Sequence, residues 1–167
     1  LARRLSGNDT LSVDEAVYLS EKATGNKNRA LAYMLKAYGM IDADVDEVLD
    51  MYFKACSIKA TCRDMARIAF VLANHGCSVD GEEIVKAEHA RYVNAIMTIC
   101  GMYDGSGEFA LRVGVPAKSG VGGGIFAAVP GRMGIGIYSP ALDAKGNSIA
   151  GVRALAMLSS RLGLSIF

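Results

Sequence analysis

The sequence predicts an α+β fold, and three observations carry that prediction. In the first hundred residues apolar side chains recur at helical spacing in five stretches, and this part holds 14 of the 17 acidic and 12 of the 18 basic residues. Residues 101–136 then hold 11 of the 19 glycines, a composition that suits loops and strands rather than helices. Ile149 to Leu162 reads as an apolar helix near the end of the chain. The expected organisation is a mainly helical region over 1–100. Residues 101–167 follow as a loop, hairpin strands and the C-terminal helix of a sheet domain.

Each element has a local reason. Ser12 and Glu15 have the S-x-x-E spacing of a capping box, opening a helix expected to reach Ala23. Thr24-Gly25-Asn26-Lys27 reads as a break. Arg29–Tyr38 is expected as a second helix, with Leu31, Leu35 and Tyr38 on one face and Gly39 as its stop. Asp44 and Glu47 should cap a third helix through Phe53. Thr61 should cap a fourth, in which Met65, Ile68, Ala69 and Leu72 share a face and Gly76 ends the run. A fifth spans Ala87–Cys100. Gly101–Gly107 is expected as a loop, because three glycines in seven residues oppose a helix. Val121–Val129 reads as a strand, Pro130-Gly131-Arg132 as a turn, and Met133–Ser139 as its antiparallel return. The glycines of the return strand leave one sheet face bare, so another element must approach the backbone there. The closing helix is expected to lie on the sheet.

Composition excludes several function classes. The chain has 167 residues, 51% hydrophobic and 21% charged, with a formal net charge of +1. This is a globular composition, with no broad electrostatic case for nucleic acid or an anionic membrane surface. No apolar run is long enough to span a bilayer, and the first residues lack the apolar stretch of a signal peptide. A cytoplasmic location is expected. Cys56, Cys62, Cys77 and Cys100 make no C-x-x-C pair, which opposes zinc and disulfides and points to buried thiols. His75 and His89 match no ligand pattern and read as surface or capping residues.

The densest local feature is Pro116-Ala117-Lys118-Ser119-Gly120-Val121-Gly122-Gly123-Gly124. It is not a phosphate loop, because Lys118 precedes the glycines, and it lacks the dinucleotide spacing. K-S-G opening a strand instead has the form of the third signature of the penicillin-recognising serine hydrolases. The bland alternative is a glycine-rich strand start. The companion S-x-x-K is absent, since no Ser has a Lys three residues on. Thr24 and Lys27 have the spacing, but Gly25 and Asn26 break the helix that would align them. Tyr92-Val93-Asn94 has the form of the second signature, inside an amphipathic helix, and reads as coincidence.

Five segments, in order along the chain, carry a resemblance. They are Ser20–Ala30 with Glu21 and Asn28, Asp50–Ile58 containing Y-F-x-x-C-S-I, Cys100-Gly101-Met102-Tyr103-Asp104, Pro116–Val121, and Ser139–Ser148 ending in Gly146-Asn147-Ser148. On these segments the chain resembles the C-terminal half of the serine-dependent glutaminases, the bacterial and kidney-type family. The resemblance implies a β-lactamase/transpeptidase-like α+β fold, a helical region plus an antiparallel sheet flanked by helices, here an incomplete part of it. Both parts would then belong to one catalytic domain truncated at its N-terminal side. It implies hydrolysis of L-glutamine to L-glutamate and ammonia through a serine acyl-enzyme, with no cofactor.

The implied roles follow residue by residue. Glu21 pairs with the substrate ammonium, Asn28 contacts the α-carboxyl end, and Tyr52 lines the pocket with a hydroxyl donor. Tyr103 sits near the nucleophile and relays its proton, and the Val121 backbone N–H is the oxyanion donor. Both also touch substrate. Lys118 and Ser119 support the site. A phenol titrates near pH 10, so a cation such as Lys118 would have to favour its ionised form. The nucleophilic Ser and its Lys are expected upstream of Leu1, so these residues alone are expected to be inactive. A homodimer or homotetramer is implied, and little activity on asparagine. Two other readings are a β-lactam-interacting serine hydrolase of similar fold and a non-catalytic fragment.

Overall fold

The computed structural model describes all 167 residues. In chain order the elements are α1 (Ala2–Ser6), α2 (Glu15–Thr24), α3 (Asn26–Ala37), α4 (Val45–Cys56), α5 (Cys62–Ala73) and α6 (Ala87–Cys100). A 3-10 turn at Tyr103–Gly105 leads into α7 (Ser106–Arg112). Strands β1 (Ala117–Ser119), β2 (Gly124–Val129) and β3 (Met133–Tyr138) precede α8 (Ile149–Leu162). The backbone packs as two compact units, Thr10–Lys59 and a larger one of Leu1–Asp9 with Ala60–Phe167.

In the smaller unit, α2 is capped by Asp14, whose carboxylate accepts the N–H groups of Ala16 and Val17. The expected capping box at Ser12 and Glu15 does not form. Val13 and Ile58 make an antiparallel bridge, and the Ser12 carbonyl accepts the Lys59 N–H at 2.9 Å, so the chain is still extended at Ser12. The expected four-residue break shrinks to Gly25, and α3 starts at Asn26 rather than Arg29. A Cβ at Gly25 would lie 2.4 Å from the Phe53 ring, so only glycine permits this junction. Asp44 caps α4 as expected, while Glu47 contributes its N–H rather than its side chain. Gly39, at φ 69°, returns its N–H to the Lys36 carbonyl and stops α3. Tyr18, Ala32, Val45, Leu49 and Phe53 form the core of this unit.

The larger unit is a three-stranded antiparallel sheet in the order β1-β2-β3. Pairing sets Ile125 against Ile137, Ala127 against Ile135 and Val129 against Met133. These residues share one face, which packs with Met102, Phe109, Val113 and Leu155 of α7, α8 and their approaches. The other face carries Gly134 and Gly136. A Cβ at either would meet a carbonyl of α5 at 2.1 Å, Ala66 for Gly134 and Cys62 for Gly136. Helix α5 is therefore the element that the bare face anticipates, and α8 lies on the opposite face. Thr61 and Asp64 close a capping box at the start of α5. That helix ends at Ala73, and Gly76 forms the turn beyond it at φ 93°. In α6, Asn94 donates to the Leu72 carbonyl at 2.9 Å, a packing role that suits the coincidental reading of Y-x-N.

Three further expectations need correction. Residues 101–107 are not all loop, because α7 begins at Ser106. Burial of Phe109 and Val113 outweighs the glycine penalty of roughly 1 kcal/mol at Gly107. The strand expected from Val121 begins at Gly124, since Gly120–Gly123 form a turn. Lys118-Ser119 thus closes a separate strand instead of opening the long one. The cysteines were expected to be buried, but Cys56, Cys62 and Cys100 are exposed and Cys77 is half-buried.

Candidate active site

In the larger unit the end of α6 brings two candidates together. A Cβ at Gly101 would lie 1.9 Å from the Ala117 carbonyl, so β1 runs directly against this glycine. The Ser119 N–H donates to the Gly101 carbonyl at 2.9 Å. The Lys118 ammonium then stands 4.6 Å from the centre of the Tyr103 ring, a cation–π geometry, and also donates to the Ser119 carbonyl. Tyr103 adopts φ 51°, a left-handed conformation uncommon outside glycine, and keeps 38% of its surface exposed.

Val121 lies in the turn between β1 and β2. That turn is closed by Gly120 N–H to Gly124 carbonyl and Gly123 N–H to Gly120 carbonyl, both 2.9 Å, which leaves the Val121 N–H outside the turn's bonding. A Cβ at Gly146 would lie 3.7 Å from both the Tyr103 ring and the Val121 side chain. Tyr103, Lys118 and Val121 are thus gathered within this unit around the loop that precedes α8. Ser119 alternates to the Ile125 face, is fully buried, and its Oγ has no hydrogen-bond partner.

In the smaller unit, Glu21 lies near the end of α2 and Asn28 in the first turn of α3, both half-buried. They flank Gly25, which rests on the Phe53 ring. Tyr52 is exposed and meets Phe53 edge-on with ring centres 5.8 Å apart. Glu21 and Asn28 therefore flank one helix junction, and Tyr52 is joined to it through the Phe53 ring. Behind it, the Asp50 carboxylate accepts from Lys22 at 2.7 Å, Lys54 at 2.6 Å and the Tyr18 hydroxyl. The Lys22 and Lys54 ammoniums and the Tyr18 hydroxyl hold Asp50 well below the usual carboxylate range, and Asp50 in turn raises Lys22 above the usual lysine value. Arg29 spans the break, donating to the Lys22 carbonyl at 2.5 Å and stacking over Phe53.

Sequence reasoning gave no role to Asp50, Ser106 or Asn147. The i,i+4 pairing of Asp50 with Lys54 and the place of Asp50 and Asn147 in the quoted segments were the available signals. Ser106 had none, because its role depends on a turn masked by the surrounding glycines. No group of three or more His, Cys, Asp or Glu side chains gathers to hold a metal ion.

The α+β arrangement is that of solved bacterial glutaminases. A Bacillus glutaminase in the presence of 4.3 M NaCl aligns over 99% of this chain and 57% of its own, with a TM-score of 0.93 and 42% identity. The covalent complex between a Bacillus subtilis glutaminase and 5-oxo-L-norleucine, formed by reaction with 6-diazo-5-oxo-L-norleucine, also has a TM-score of 0.93. It is 42% identical and is matched over 99% of this chain and 59% of its own. The glutaminase family model matches residues 1–167, and the chain belongs to the glutaminase family. Glutaminases of Clostridium tetani and Alkaliphilus oremlandii are 58% and 56% identical, over 99% and 98% of this chain. The chain spans about half, 54%, of each of these two relatives.

Proposed function

We propose that the protein carrying this chain hydrolyses the side-chain amide of L-glutamine, releasing L-glutamate and ammonia. The observation that carries this reading is the Tyr103–Lys118 pair beside the Val121 turn, in a chain of the glutaminase family. The Bacillus subtilis adduct supports it, because the diazo compound is a reactive analogue of glutamine.

In the proposed reaction a serine of an S-x-x-K segment outside these 167 residues attacks the amide carbon. Its proton passes by way of the Tyr103 phenol to the leaving nitrogen, the C–N bond breaks and ammonia departs. Water then attacks the acyl ester and glutamate leaves, regenerating the serine. The Lys118 ammonium, 4.6 Å from the centre of the Tyr103 ring, sets a positive charge beside the proposed proton carrier. The Val121 N–H stabilises the oxyanion of each tetrahedral intermediate. Glu21 pairs with the α-ammonium, Asn28 hydrogen-bonds the α-carboxylate, and Tyr52 adds a hydroxyl contact. Asparagine, one methylene shorter, places its amide away from the oxyanion donor and reacts poorly.

The same reading assigns the protein to the cytoplasm, which its four free thiols support. It also assigns a homodimer or homotetramer, which the exposed Tyr33, Met34, Tyr38 and Met40 on and after α3 support.

The test is glutamate release from L-glutamine by the full-length protein. Tyr103→Phe is expected to lower kcat by at least about 100-fold, the scale of a lost general acid–base. Glu21→Gln is expected to raise KM by at least about tenfold while changing kcat less. No glutamine turnover, with a penicillin adduct seen by mass spectrometry, would transfer the reading to a β-lactam-type hydrolase.

A further inference from the structure

We infer that Asn147 and Ser106 are positioning residues that hold the Tyr103 phenol for proton transfer, a role that rests on the reading of Tyr103 given above. The left-handed backbone of Tyr103 is costly for a side chain of its size and persists only where its surroundings impose it. Those surroundings are two buried side chains. The Met102 carbonyl accepts the Asn147 amide at 3.1 Å, and the Met102 N–H donates to the Ser106 Oγ at 3.0 Å. The Ser106 hydroxyl in turn donates to the Tyr103 carbonyl at 2.8 Å. The peptide groups on both sides of Tyr103 are thereby fixed, one by Asn147 from the loop before α8 and the other by Ser106, the residue that closes the turn.

Burial adds a second argument. Asn147 is 3% exposed and Ser106 6%. The Asn147 Oδ1 is buried with no partner. Half of the amide's hydrogen-bonding capacity is therefore spent at a cost, which an apolar side chain in the same space would avoid. Its donor to Met102 is what the residue supplies. Asn147 is itself held in place. The Asp143 carboxylate accepts the N–H groups of Lys145 and Asn147, both at 2.9 Å, and the Asp143 N–H donates to the Asn147 carbonyl at 2.8 Å. Gly146, at φ 90°, brings this loop against the phenol ring and the Val121 side chain. One five-residue loop thus controls the backbone beneath the phenol, its ring edge and the side chain of the proposed oxyanion turn.

The test is a kinetic cycle in the full-length protein with L-glutamine, using Asn147→Asp, Ser106→Ala, Tyr103→Phe and the two double variants. Asn147→Asp keeps size and replaces the donor by an oxygen that faces the Met102 carbonyl. Each positioning variant is expected to lower kcat by about 10- to 100-fold, with KM changing less than about threefold. In the Tyr103→Phe background neither is expected to lower the residual kcat further, because its effect travels through the phenol. An equal loss in both backgrounds, or a wild-type kcat in the single variants, overturns the inference while wild-type turnover leaves the proposed function standing. Absence of turnover by the wild-type protein overturns both. Circular dichroism checks folding, and Ser106→Ala, which removes one oxygen, carries the test where Asn147→Asp does not fold.

Discussion

Asp50 takes three hydrogen-bond donors on one carboxylate, and two of them are ammonium groups. Its carboxyl is held below the ordinary 3.8, so the stabilisation it provides is fully present above that pH and fades as the pH falls towards its lower folded value. Lys22 is raised above the ordinary 10.5, so its share is present below that pH and is lost as the pH rises through its higher folded value. Across the neutral range both contributions are complete. Asp50→Asn is therefore expected to lower the melting midpoint at pH 7. The gap from wild type should narrow below pH 3.8, a trend that thermal melts by circular dichroism across the acid range would show. A gap that stayed constant into strong acid would mean that packing, not charge, is what the substitution disturbs. This residue was legible only as one half of an i,i+4 pair, because Tyr18 and Lys22 reach it from another helix.

Among the elements, the contact of α5 with β3 has the least room. Gly134→Ala and Gly136→Ala each press a methyl group into helix backbone, which cannot swing aside as a side chain can. Each is expected to cost about 2–4 kcal/mol or to prevent folding, measured by denaturant unfolding. Gly131→Ala meets nothing within 4 Å, and only its φ of 69° opposes it, so it should cost about 1–2 kcal/mol. The alternation of glycine with Ile135 and Ile137 made this close approach legible, because a strand has only two faces. Other elements were not legible. Helix α7 was hidden by glycines whose local preference lost to the burial of Phe109. Strand β1 is three residues long and exists through its pairing with β2. The cap of α2 moved to Asp14 because an isolated bridge from Val13 to a segment 45 residues away held Ser12 extended.

At the scale of the whole molecule, the seven candidate residues divide by chemistry and by place. Glu21, Asn28 and Tyr52 lie in the smaller unit, and Tyr103, Lys118, Ser119 and Val121 in the larger. Under the proposed function the first set recognises the amino-acid end of glutamine and Tyr103, Lys118 and Val121 act in the chemistry, while Ser119 is buried on the Ile125 face of the sheet. Substitutions in the first are expected to act mainly on KM and those in the second mainly on kcat, a split that steady-state kinetics would reveal. The identities of these residues were legible because five segments match the family in order, and a match of that kind survives errors in element boundaries. What supports each residue was not, because hydrogen bonds such as Asn147 to Met102 join positions far apart in the chain.

The exposed thiols have a practical consequence. Cys56 belongs to the smaller unit, and Cys62 and Cys100 to the larger. Each unit therefore already carries an attachment point for a maleimide dye. Alkylation followed by peptide mass mapping should modify these three rapidly and the half-buried Cys77 more slowly. A donor dye on Cys56 and an acceptor on Cys62 or Cys100 would then report, by energy transfer, whether glutamine changes the separation of the two units.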